Sequence, residues 1–273
     1  MMASLINRKQ MKAEVKTLLA DAQVSPKVMT ALYLLTTLAV NMLSYAAGDS
    51  GIFATFINIL TSLITFVLTS GFVLYCMAIR RGERAEFLTL FDGFSFVGKI
   101  IALNLLISIY VSLWTMLFVI PGIIAAYRYR FALYNLYENP EIRVFEALHM
   151  SKQQTRGYKS QLFALDISYF GWAFLASIPV FLESSLFVQQ VAADYAFPQT
   201  IAMISAVSPL ASIPAWAWTL IAGIWSLVVS LFYLPNYQCV ELGYFEIAKT
   251  TSGIGSASYQ DPWANGPDNM GGF

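Results

Sequence analysis

Charge is what this sequence has least of. Only 12% of its 273 residues are Asp, Glu, Lys or Arg, against roughly 25% in soluble domains. Hydrophobic residues make up 58%, gathered in runs too long and too numerous for a water-excluded core alone. Much of that surface has to face lipid. Histidine is almost missing as well. The single His149 stands alone beside the apolar face of a basic segment, so no Ser–His–acid arrangement can be built, and it reads as a headgroup contact. With only two cysteines, Cys76 and Cys239, no zinc site reads out. Both lie within or beside apolar runs and read as small buried hydrophobes without a disulfide. No phosphate-cradling glycine loop and no HExxH motif occurs. No cofactor is expected. A net charge of zero gives no hint of a nucleic-acid partner.

A regional absence says more. From Gln161 to Ala248 there is no Lys or Arg at all. Apart from Arg128 and Arg130, which lie inside an apolar segment, the sixteen basic residues fall in four blocks: Arg8, Lys9, Lys12, Lys16 and Lys27; Arg80, Arg81, Arg84 and Lys99; Arg143, Lys152, Arg156 and Lys159; and Lys249. Between the blocks lie six apolar segments, about 28–46, 52–79, 100–120, 122–137, 161–181 and 213–234. If all six cross a membrane and both termini are cytoplasmic, fourteen Lys and Arg lie inside and none outside, as the positive-inside rule demands. The fold expected is therefore all-α, a six-span bundle over residues 1–249 in a plasma membrane. The segment 122–137 is short for a ~20-residue crossing. Were it not to cross, Lys152, Arg156 and Lys159 would face outward, against the charge bias. Pro121-Gly122 is then an outer turn, and its flanking segments form a tight hairpin.

Outside the spans the pattern changes. Residues 1–27 are too polar for a signal peptide, and Ser44-Tyr45-Ala46-Ala47 only loosely resembles a cleavage site. Three segments place apolar residues three or four apart beside basic ones: Met11, Val15, Leu18 and Leu19; Phe87, Leu90, Phe91 and Phe94; and Ile142, Phe145 and Leu148. They read as amphipathic helices on the inner surface. The last is expected to open at Asn139-Pro140-Glu141, Asn as cap and Pro in the first turn. The link 182–212 has Glu183 and Asp194 but nothing basic and is expected to lie low on the outer face. Residues 250–273, rich in Gly, Ser, Asn and Pro, read as a disordered cytoplasmic tail.

Ionisable groups within membrane spans are costly, and so become candidates for function. Arg128, Arg130 and Asp166 qualify, and Glu241 joins them on the inner extension of the last span. The structural alternative is a salt bridge or snorkelling toward headgroups. Glu241 and Glu246 read first as solvated interface charges. Spans four and five run antiparallel, which puts Arg130 and Asp166 roughly 12 and 9 Å above the inner ends at ~1.5 Å per residue. They are expected to pair, with Arg128 turned elsewhere, toward Glu241 or lipid phosphate. Tyr127, Tyr129, Tyr134, Tyr137, Tyr169, Trp172, Trp216, Trp218, Tyr233 and Tyr237 mostly fit interfacial belts. Ala222, Ser226 and Ser230 make a small-residue stripe suited to close helix packing.

Several strings together resemble one family. They are Ile120-Pro121-Gly122-Ile123-Ile124, Tyr127-Arg128-Tyr129, Glu138-Asn139-Pro140, Glu146-Ala147, Ser151-Lys152, Gly157-Tyr158-Lys159, the run Leu162 to Ser168, and Phe170-Gly171-Trp172. Asp92-Gly93-Phe94, Pro235-Asn236-Tyr237 and Tyr244-Phe245-Glu246 add to them. The pattern is similar to the DUF975 family. The resemblance implies an uncharacterised polytopic membrane protein, mostly of Gram-positive bacteria, distantly similar to the membrane domain of some glycerophosphodiester phosphodiesterases. It covers about residues 8–180 and 232–248; the apolar link between, with Pro198, Pro209 and Pro214, departs from it. Three functions stay open: a non-enzymatic accessory of the cell envelope that binds lipids or a membrane protein, a small transporter or channel using the Arg128, Arg130 and Asp166 locus, and a membrane-embedded lipid-modifying enzyme. The first is favoured.

Overall fold

The computed structural model of the chain describes residues 5–48, 51–195 and 214–255. Among them every regular element is a helix. That is the arrangement in which each segment satisfies its own backbone in lipid. In chain order the helices are α1 (Arg8–Ala20), α2 (Pro26–Ala47), α3 (Ile52–Arg80), a 3-10 segment (Phe87–Phe96), α4 (Val97–Leu117), α5 (Val119–Arg128), α6 (Ala132–Glu138), α7 (Val144–Gln154), α8 (Lys159–Tyr195) and α9 (Ala215–Ser252). Five stretches are long and apolar enough to cross a membrane: Pro26–Ser44, Ile52–Arg80, Phe87–Leu117, Lys159–Leu182 and Trp216–Ser252. The segment expected as the fourth span is not among them. It is split between α5 and α6 by a turn at residues 129–131.

The chain forms two compact units. One gathers Met1–Met11, Gly98–Ala164 and Val240–Phe273; the other gathers Lys12–Val97 and Leu165–Cys239. In the second unit α2 lies along α3, with Tyr33 stacked on Phe72 at 4.9 Å between ring centroids. The 3-10 segment also lies against α3. Leu90 and Gly93, three residues apart and hence on one face of a 3-10 helix, are buried, while Phe91 and Phe94 stack on each other outside. The approach depends on Gly71, where a Cβ would fall 1.8 Å from the Leu90 carbonyl oxygen. Ala222 and Ser230 of the small-residue stripe are buried. Cys76 and Cys239 are both buried and free.

In the first unit the turn between α4 and α5 falls at Phe118, whose backbone is extended (φ −158, ψ 144). The expected Pro121-Gly122 turn is thus shifted three residues toward the N-terminus. Pro121 sits instead in the first turn of α5, where its missing N–H costs nothing. Gly122 packs on the preceding helix, where a Cβ would meet Thr115 Oγ1 at 2.0 Å. The start of α7 differs too. Asn139 Oδ1 accepts from the Glu141 N–H (3.3 Å) in a side-chain-closed turn, and the helix begins only at Val144, with Glu146 Oε2 accepting from the Arg143 N–H (3.4 Å). Asn before Pro made the turn rather than the cap.

The two long C-terminal helices exceed the sequence reading. α8 carries on through Pro179 to Tyr195, so the first half of the link expected at 182–212 is helix; the remainder lies outside the described residues. α9 continues past Pro235 to Ser252. Gly253 then turns with φ 72, and Ile254 is buried, its carbonyl accepting from Gln154 Nε2 at 3.2 Å. The packed chain therefore reaches beyond the expected boundary at 249, and residues 256–273 of the expected tail lie outside the described part.

Candidate functional site

The site begins with the interruption between α5 and α6. Breaking a helix releases backbone groups that must find other partners. Here α7 supplies them. Ser151 Oγ donates to the Arg128 carbonyl (2.9 Å) and accepts from the Phe131 N–H (3.1 Å). Thr155, one turn on, brings its hydroxyl within 3.2 Å of the same Arg128 carbonyl. Deeper in the same unit Asn135 and Gln154 exchange a reciprocal pair of amide hydrogen bonds, both 2.8 Å. Ser151, Thr155, Asn135 and Gln154 are all buried. Each satisfies a polar group that would otherwise be costly.

With the turn so held, Arg130 faces Glu241 of α9. Nε donates to Oε1 at 2.7 Å and Nη2 to Oε2 at 3.0 Å, a planar fork on a carboxylate. Tyr134, four residues on, donates its hydroxyl to the same Oε1 at 2.8 Å. The Arg130 guanidinium also lies 5.4 Å from the centre of the Tyr127 ring. Phe245, one turn along α9 from Glu241, packs edge-on to both Phe131 and Tyr134. Glu241 keeps 4% of its side chain exposed and Arg130 22%. Nearby, Lys249 Nζ meets Glu138 Oε2 at 2.6 Å, both partly exposed. Tyr244 is fully buried in this unit, and its hydroxyl has no hydrogen-bond partner among the described residues.

Asp166 belongs to the other unit. Its Oδ1 accepts from the Tyr237 hydroxyl at 2.8 Å. Around it Tyr169 hydrogen-bonds Asn236, and Lys12 donates to Ser168 Oγ (3.0 Å) with its ammonium 3.9 Å from the centre of the Tyr169 ring.

These contacts change three parts of the sequence reading. Glu241, expected as a solvated interface charge, is buried and bound from two sides. Arg130, rather than Arg128, takes it; the helix is broken at 129–131, whereas turning Arg128 toward Glu241 assumed a continuous one. Tyr134, Tyr137, Tyr169 and Trp218, assigned to interfacial belts, are buried in their units. Tyr134 and Tyr237 are carboxylate partners that sequence reasoning missed. The four-residue step from Arg130 to Tyr134 was a usable signal, as was the same step from Ser151 to Thr155.

Described residues whose regular elements are all helices, the longest of them apolar enough to cross a membrane, define a broad class. The particular family is narrower. Residues 115–248, just under half of the chain, match the model of the family described as protein of unknown function, DUF975, which supports the resemblance read from the sequence. No curated protein and no solved structure matches the chain. The distant similarity to glycerophosphodiester phosphodiesterase membrane domains gains nothing from these comparisons.

Proposed function

We propose that the chain is a non-enzymatic membrane protein of the cell envelope that binds lipids or a membrane protein, with six crossings, inner-surface helices and cytoplasmic termini. The observation that carries this reading is the contrast between faces. Arg130 and Glu241 are tied to each other and to Tyr134 inside their unit. The exposed side chains of the apolar helices are large and apolar: Leu105, Ile109 and Leu113 on α4, Phe170 and Phe174 on α8, Ile224 and Phe232 on α9. A hydrogen-bonded interior under an apolar exterior suits a scaffold whose ligands come from the bilayer. The test is purification of the full chain from its membrane with mass spectrometry of what accompanies it. Retained lipids or a stoichiometric membrane protein support the reading; turnover of a labelled phospholipid by the purified chain overturns it.

The interrupted α5–α6 segment favours a second reading, a small transporter or channel. Broken helices in transporters present backbone ends and charges at their sites. Solute or ion flux in liposomes that disappears in Arg130→Met would replace the first reading with this one.

A further inference from the structure

The cations of the first unit are not treated alike. Arg130, Lys249 and Arg8 each reach an acceptor within that unit. Lys9, Arg128, Arg143, Lys152, Arg156 and Lys159 pair with no carboxylate among the described residues. Of these, local structure brings Arg128, Arg156 and Lys159 together. Thr155 holds the Arg128 carbonyl at 3.2 Å, which fixes Arg128 beside the residue preceding Arg156. The chain then turns through Gly157 (φ 90), closed by the Tyr158 N–H on the Thr155 carbonyl (3.1 Å), and α8 starts at Lys159. Arg156 is exposed, and Arg128 and Lys159 are half-buried. Three like charges held together without a counter-charge repel one another unless an anion joins them.

The surroundings indicate which anion. Arg128 ends a stripe on α5 in which Ile120 and Ile124, at four-residue spacing, are exposed. Lys159 opens α8 one turn before exposed Phe163, whose ring meets Tyr127 edge-on at 6.2 Å. Positive charge beside exposed apolar side chains matches a ligand with a charged head and greasy chains. We propose that Arg128, Arg156 and Lys159 bind the phosphate of an anionic membrane lipid, with its acyl chains along Ile120, Ile124 and Phe163. This rests on the lipid-binding reading above and gives it a site.

The experiment is native mass spectrometry of the full chain in detergent, titrated with dioleoyl phosphatidylglycerol or dioleoyl phosphatidylcholine. The wild type should retain the anionic lipid preferentially. R128Q/R156Q/K159Q should weaken that retention by about tenfold or more and leave phosphatidylcholine unaffected. Should the triple variant fail to fold, the exposed Arg156→Gln alone should give a partial loss, and R128K/R156K should keep most of the preference. Millimolar inorganic phosphate should not displace the lipid; if it does, the site takes free phosphate and the lipid assignment is wrong. A folded triple variant with undiminished preference overturns the site but not the lipid-binding reading. A wild type with neither retained lipid nor partner overturns both.

Discussion

Arg130 and Glu241 form a pair whose members are worth more together than apart. A buried charge left alone by removal of its partner costs about 3–5 kcal/mol, whereas apolar replacement of both is often neutral. Because Arg130 is 22% exposed, solvent screens part of the loss, and about 2–3 kcal/mol is expected for Arg130→Met or Glu241→Leu alone. The double variant should lose less than either single one, measured as a double-mutant cycle on detergent thermal stability. The same cycle on Arg130 and Asp166 tests the pairing expected from the sequence; additivity there would refute it. Two tyrosines should respond with opposite signs. Tyr134→Phe removes a hydrogen bond to a charged group and should cost about 1.5–3 kcal/mol. Tyr244→Phe removes a buried hydroxyl without a partner among the described residues and should be neutral or stabilising. At this scale the sequence made Arg130 and Glu241 visible, since charges stand out in apolar runs. It hid Tyr134 and Tyr237, because a tyrosine reads equally as a headgroup anchor and as a buried donor.

Helices were legible wherever an apolar run was long, and breaks were not. Span ends for α2 and α3 follow directly from the apolar runs. The division of α5 from α6 could not be read, since no proline or glycine marks residues 129–131; the turn is held by Ser151 and Thr155, some twenty residues away. Pro235 ends nothing, and α9 passes through it, in keeping with the inner extension that carries Glu241. Glycine contacts give the sharpest test of element packing. Gly71→Ala would press a Cβ onto the Leu90 backbone, which no side-chain rotation relieves, and should cost about 1–3 kcal/mol or more. Gly98→Ala meets open space and should stabilise α4 by up to about 1 kcal/mol through helix propensity alone. Melting temperatures of the two variants in the same detergent should move in opposite directions. The C-terminal boundary is testable in the same way. Truncation after Ser252 removes Ile254 and its contact with Gln154 and should lower stability, whereas truncation after Gly255 should not.

For the molecule as a whole, the membrane arrangement rests on two observations of different kinds. Five helices have the length and apolarity to cross, and Lys and Arg alternate between segments as six crossings require. The difference lies in α5 and α6, too short separately for a bilayer and proposed as a crossing only from the charges that flank them. Whether that segment crosses decides the side on which every later residue lies. With six crossings, α7 and the C-terminus are cytoplasmic; with five, both are outside. The most direct measurement is labelling of a single cysteine at the exposed Lys152 position of α7, in a background lacking Cys76 and Cys239, with a membrane-impermeant thiol reagent. Six crossings predict no labelling in intact cells and full labelling after permeabilisation. Equal labelling before and after permeabilisation would contradict the arrangement, and with it the cytoplasmic placement of both α7 and the C-terminus.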